Sequence, residues 1–244
     1  MKYGVLLCLT AVRLAADVNS TVYLPHVVDG GTWQTVFTIV NLSPRAPAQA
    51  TIHLWAEDGN PLALPFAGMG AARNQVDINL PPSGMTTVET TGDPASSTTQ
   101  GWADFEVKTS GLMAVSALMR RHVPGLPDWE VFVPSRQIAT ASQIYVFDNT
   151  SSKATGFAIM NASRVNAGVV LVTIRDENGQ TTQTATLNMP AGAHRAFSLA
   201  DQFSATAERR GTIELIPQPG GWLGFIGLRF NSTGAITNLD PMTP

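Results

Sequence analysis

Along much of the chain apolar and polar residues alternate one by one, the two-residue period of a strand with one buried face. Ala50, Ile52, Leu54 and Ala56 alternate with Thr51, His53 and Trp55. Ala103, Phe105 and Val107 alternate with Trp102, Asp104 and Glu106, and Val170, Val172 and Ile174 with Leu171, Thr173 and Arg175. Side chains on a strand point to opposite faces in turn. This register therefore places Ile52, Leu54, Phe105, Ile159, Val172, Ile174 and Leu215 in a core, and Thr51, His53, Thr173 and Arg175 outside it. The segments Leu112–Met119 and Trp222–Phe230 are apolar on both faces, the pattern of a covered central strand. Asp58-Gly59 and Asn178-Gly179 are hairpin-turn pairs, because both residues of such a pair tolerate positive φ. Pro-Pro-Ser-Gly at 81–84 and Pro-Ala-Gly at 190–192 mark further turns. A helical period occurs only in Phe197–Ala207, which predicts one short helix capped by Ser198 with Leu199 and Phe203 on one face.

The pattern occurs twice. Residues 35–59 (TVFTIVNLSPRAPAQATIHLWAEDG) align without a gap on residues 155–179 (TGFAIMNASRVNAGVVLVTIRDENG), matching Phe37 to Phe157, Asn41 to Asn161, Ser43 to Ser163 and Gly59 to Gly179. Ile78-Asn79-Leu80-Pro81 then matches Leu187-Asn188-Met189-Pro190, and the segment from Gly111 matches that from Gly221. Motifs in one order with altered loop lengths indicate duplication of a whole domain, since solenoid units are only about 20–50 residues long. Candidate strands number about seven per copy, which predicts an all-β chain of two tandem Ig-like antiparallel β-sandwich domains. A single barrel or propeller fits the long period less well. A transmembrane barrel would need lipid-facing and lumen-facing residues to alternate, whereas several strands here are apolar on both faces. The polar stretch before the second copy sets the expected division at residues 17–138 and 139–244.

The second copy carries FDNTSSKATGFAIMNAS from Phe147, VTIRDENGQ from Val172, LNMPAGAHRAFSLADQF from Leu187 and RRGTIELIPQPGGWLGFIGLRFNSTGAIT from Arg209. These segments resemble a β-sandwich module found, often in tandem, in secreted proteins of soil bacteria. The resemblance covers residues 143–240 well and 21–136 more loosely. It implies export and an Ig-like fold, and carries no catalytic residue with it.

The N-terminus points the same way. Met1-Lys2 gives a positive start, Gly4–Val12 an apolar stretch, and Leu14-Ala15-Ala16 small residues before polar Asp17. Residues 1–16 thus read as a cleaved export signal. Cys8, the only cysteine, would leave with it, so no disulfide and no thiolate chemistry are expected. Leu6-Leu7 before Cys8 do not fit a lipid-anchor signal. Charged residues are 14% of the chain and the net charge is −3. With only three Lys and scattered Arg, no basic surface suits a phosphate backbone, so nucleic acid is excluded as a partner. No run of apolar residues is long enough for a spanning helix in the mature chain.

Motifs for chemistry are sparse. There is no GxSxG elbow, Walker loop or dinucleotide fingerprint. His26, His53, His122 and His194 lack metal-ligand spacing and read as surface or turn residues. No metal or other cofactor is expected; Asp and Asn in the turns are explained by turn chemistry without calcium. Asp104 and Glu106 lie two residues apart on one strand face, ~7 Å, but an outer solvated face accounts for them. The duplicated Asn41 and Asn161 are expected to cap turn backbone groups.

The informative asymmetry is aromatic. Trp33, Trp55 and Trp102 of the first copy align with Lys153, Arg175 and Thr212 of the second. Alternation turns Trp55 and Trp102 away from the core, beside His53 and Asp104. Exposed indoles give flat apolar platforms with a polar edge. Trp33, His53, Trp55, Trp102 and Asp104 are therefore the candidate ligand-binding residues. The functional expectation is a non-enzymatic, secreted or cell-surface protein with a structural or adhesive role, its partner a protein or polysaccharide at the cell exterior. A carbohydrate-binding protein using the first-copy aromatic face is the alternative, and an enzyme the weakest reading.

Overall fold

A computed structural model describes residues 21–109, 113–135 and 137–242. The export signal expected over residues 1–16, with Cys8, lies outside the described residues. The first copy contributes β1 (Thr21–Asp29), β2 (Trp33–Asn41), β3 (Ala48–Ala56), β4 (Gln75–Leu80), β5 (Met85–Glu89), β6 (Thr99–Val107), β7 (Met113–Arg121) and β8 (Trp129–Pro134). The second contributes β9 (Gln143–Asp148), β10 (Ala154–Asn161), β11 (Gly168–Asp176), β12 (Thr181–Met189), β13 (His194–Ser198), β14 (Arg210–Pro217), β15 (Leu223–Phe230) and β16 (Ile236–Leu239). Between β13 and β14 lies the one expected helix, α1 (Leu199–Gln202), followed by a 3-10 turn at Ser204–Thr206. Leu199 and Phe203 are buried together as their spacing predicts. Ser198 occupies the N-cap position, though its side chain makes no capping hydrogen bond.

The duplication is visible strand by strand. The first copy has sheets ordered β1-β6-β3-β4 and β5-β2-β7-β8. The second repeats them as β9-β14-β11-β12 and β13-β10-β15-β16. Every pairing between these strands is antiparallel. Each copy is thus a two-sheet sandwich of eight strands rather than the seven expected. Pairings β2–β5 and β3–β6 are those of strands B–E and C–F in an immunoglobulin sandwich. The edges differ: the first strand pairs with the sixth and the seventh with the second.

The core register follows the alternation. Ile52, Leu54 and Phe105 lie in the first core, and Ile159, Val172, Ile174 and Leu215 in the second, all at most 1% exposed. Thr51 departs from it. It sits on the outer face yet is 1% exposed, donating its hydroxyl to Asp77 Oδ1 at 2.6 Å. The asparagine pair does what its duplication suggested. The Asn41 amide donates to the carbonyls of Ala46 and Pro81 and accepts from the Ser43 N–H. The Asn161 amide donates to the carbonyls of Asn166, Met189 and Pro190, and its oxygen accepts from the N–H groups of Ser163 and Trp222.

The two apolar-on-both-faces strands part company. β15 is buried on both faces, whereas the outer side of β7 stays partly open, with Ala114 exposed and Leu118 half-buried. The reason is the packing of one sandwich on the other. Ala158, Ile226, Leu228 and Ile236, from β10, β15 and β16, join the buried cluster of the first sandwich, beside Val28 and Val131. β1 is likewise buried from Tyr23 to Asp29, one face inward and the other under the second sandwich. The connection between β8 and β9 is docked as well: the Ala139 N–H donates to the Leu223 carbonyl at 2.8 Å. Among the described residues no helix is long and apolar enough to cross a membrane.

Candidate functional site at the joint between the sandwiches

The outer face of β1, β6 and β3 collects the side chains that alternation turned outward. Trp55 and Trp102 are directly paired across β3 and β6, ring centroids 5.9 Å apart, and His53 is paired with Asp104 one step along. Residues opposite on adjacent strands are close enough to interact, and here one carboxylate organises them. Asp104 Oδ1 lies 2.8 Å from His53 Nδ1, and Asp104 Oδ2 accepts from the Trp55 indole N–H at 2.6 Å. Tyr23, on β1 next to Trp102, has its hydroxyl pKa raised by burial and by the Asp104 charge.

The second sandwich covers this face. The Trp102 indole N–H donates to the Gly192 carbonyl at 2.8 Å, and Met160 and Ala162 pack on Tyr23 and Trp102. The Arg164 guanidinium lies 3.8 Å from the centre of the Trp55 ring, a cation–π contact. The His194 N–H donates to the Glu57 carbonyl at 2.9 Å. Gly59 and Gly192 meet so closely that a Cβ on Gly59 would stand 2.9 Å from the Gly192 carbonyl carbon; both have positive φ, +82° and +72°. Glycine is needed at both positions, to turn the hairpin and to let two backbones touch.

The open double-indole platform expected from alternation is therefore absent. Trp102 does face outward from its own sandwich but is 1% exposed beneath the other. His53, Trp55 and Asp104 remain half-buried and line a concavity of about 260 Å³ with Tyr23, Glu106 and Arg164. Trp33 stands apart. It begins β2, packs near the Arg121 guanidinium at 5.4 Å, and lines a different cavity of about 340 Å³ between the sandwiches. The structure thus brings four of the five candidates together, one of them buried, and leaves the fifth elsewhere.

Two residues read as surface histidines are corrected. His26 of β1 and His194 of β13 are 8% and 4% exposed and meet edge to edge across the joint, His26 Nδ1 3.1 Å from His194 Nε2 with ring planes 12° apart. Burial pushes the His26 pKa down to about 4, and burial together with the facing His26 holds His194 well below the usual value. Both rings are neutral near pH 7, and His194 Nδ1 is buried without a hydrogen-bond partner. The sequence held a signal for this: Val22–Val28 is apolar on both faces except at His26, as in a strand covered twice. Arg164 and Gly192 carried no such signal, being turn residues whose partners are 90 or more positions away.

Among the described residues no three His, Cys, Asp or Glu side chains are grouped to hold a metal ion. Comparison with known protein families finds no match to the chain, and none is found among curated protein sequences.

Proposed function

We propose that this is an exported, non-enzymatic protein of two tandem Ig-like sandwiches with a structural or adhesive role at the cell exterior. The observation that carries the reading is the joint. Two copies of one fold are fused through a shared apolar cluster, a buried indole–carbonyl hydrogen bond and a glycine–glycine contact, giving one stiff unit instead of two tethered beads. Inter-domain interfaces within a chain are ordinarily more polar and leave the domains free to move. A stiff pair suits a part that transmits load or holds a spacing. The test is to express the full chain with an epitope tag in a bacterial host, fractionate the culture, and pan the purified protein against envelope proteins and polysaccharides. Accumulation outside the cytoplasm with saturable binding to an envelope component is the expected result. Retention inside the cell, or turnover of a substrate in a hydrolase panel, would overturn the proposal.

Carbohydrate binding at the Trp55 concavity is the second reading. It is favoured by one aromatic face, two carboxylates and a guanidinium converging on a single hollow. A glycan array decides it: Trp55→Ala should abolish binding and Arg164→Ala, which bares the ring, should change it. Equal binding by both variants and the parent would retire this site.

A further inference from the structure

The cavity of about 340 Å³ lies where the two sandwiches meet, and residues of both line it. It is hollow because of particular residues. On β10 and β13 the second sandwich places Gly156, Ala158 and Ala196, where the matching register positions of the first, on β2 and β5, hold Val36, Thr38 and Thr87. Nothing in the backbone demands so small a residue at Gly156, where an added Cβ would meet its nearest atoms at an ordinary 3.4 Å. A joint shaped for stability alone would be filled, since an apolar void costs the contacts its lining lacks. Aromatic rings of Trp33, Phe197 and Phe230 form much of the wall. No Asp, Glu, Lys or Arg side chain lines the space; Arg121 and Arg195 lie over the Trp33 and Phe197 rings but are not part of the lining.

His26 supplies the one imidazole among polar lining residues that also include Thr98, Gln100, Thr155 and Ser198. Its Nδ1 is committed to His194, which leaves Nε2 as the ring nitrogen with no protein hydrogen bond among the described residues. The pair shares a single proton between the two facing nitrogens. If His194 donates, its orphaned Nδ1 is a bare lone pair and His26 Nε2 carries a hydrogen toward a ligand. If His26 donates, the orphan is a buried N–H, the costlier arrangement.

We propose that this cavity is a binding site for a small, neutral, flat aromatic molecule bearing one hydrogen-bonding oxygen, held between the aromatic walls with its oxygen on His26 Nε2. Ligand pockets are usually apolar hollows at domain interfaces with a few placed polar groups, and about 300 Å³ is their lower bound. An ion is disfavoured because the lining offers it no countercharge. The site adds to the structural reading above and does not depend on it.

Titration calorimetry of the full chain with 2-naphthol and with 2-methylnaphthalene, its isostere without a hydroxyl, tests the proposal. Both should bind saturably at one site, 2-naphthol about three- to tenfold more tightly, the value of one neutral hydrogen bond. His26→Phe should remove that preference and spare 2-methylnaphthalene. Ala196→Leu should abolish binding of both while keeping or raising Tm, because it fills the hollow. This second variant keeps the test decisive if His26→Phe misfolds. No saturable binding to the parent, binding that survives Ala196→Leu, or a preference that survives in a folded His26→Phe protein would each overturn the site.

Discussion

A tryptophan N–H pointed at a buried carbonyl of the other sandwich makes Trp102 more than an apolar filler. Its bond to the Gly192 oxygen is buried. Trp102→Phe keeps a ring on Tyr23 but strands that carbonyl, and an unsatisfied buried group costs about 1–3 kcal/mol. Urea denaturation should show a loss of that size, and a loss below ~0.5 kcal/mol would mean that water reaches the carbonyl. The His26–His194 pair gives a pH dependence with a definite sign. Burial holds the folded pKa of His26 at about 4, below the ordinary value of 6.5, and that of His194 in the same direction. The unfolded chain therefore binds more protons as the pH falls below 6.5. The stability difference between the parent and a His26→Leu/His194→Leu double variant should be flat above about pH 7. Between about pH 6.5 and 4 it should move against the parent, then level off lower still. Melting curves across that range check it, and a constant difference would show the pair to be solvated.

At the scale of strands and turns, the alternating positions gave the core correctly because a strand's two faces differ wherever only one is buried. Thr51 escaped this logic because its partner, Asp77, lies on the neighbouring strand β4 and screens it from water. The duplicated Asn41 and Asn161 were legible for another reason: a short amide side chain can replace backbone partners in a turn, and the same turn occurs twice. Their unequal partners make a comparison possible. Asn161 serves five backbone groups and Asn41 three. Both are buried, so truncation leaves those groups unpaired. Asn161→Ala should destabilise by more than Asn41→Ala, by about 1 kcal/mol or more. Equal losses in chemical denaturation would mean that Trp222, whose N–H is one of the extra partners, finds water instead. The count of strands was less legible. β1 carries no clean alternation, since Tyr23 through Asp29 are all covered, and a strand hidden on both faces looks like any apolar run.

For the whole molecule, what the sequence withheld was which outer face would meet which. Each copy's pattern reports only inside and outside for its own sandwich. The apolar outer residues of β15 showed that something covers them without saying that it is β1 and its neighbours. The same residues set the behaviour of the separated halves. The second core, from Tyr145 to Phe225, is drawn almost wholly from its own strands, with Ala139 of the connecting segment packed against it. A fragment of residues 137–242 should keep a β-type circular dichroism spectrum. It would also bare Ala158, Ile226, Leu228 and Ile236, which the intact chain buries against the first sandwich. A contiguous apolar patch on a free domain favours self-association, so the fragment should elute as an oligomer and bind 1-anilinonaphthalene-8-sulfonate. Ile226→Glu separates this account from simple misfolding because it acts oppositely in the two contexts. In the fragment the carboxylate faces water, so the variant should be monomeric, with little dye binding and a β spectrum unchanged. In the full chain it is buried at the joint without a partner, which costs several kcal/mol or forces the sandwiches apart. A monomeric parent fragment, or an Ile226→Glu full chain as stable as the parent, would show that the sandwiches do not hold each other through this face.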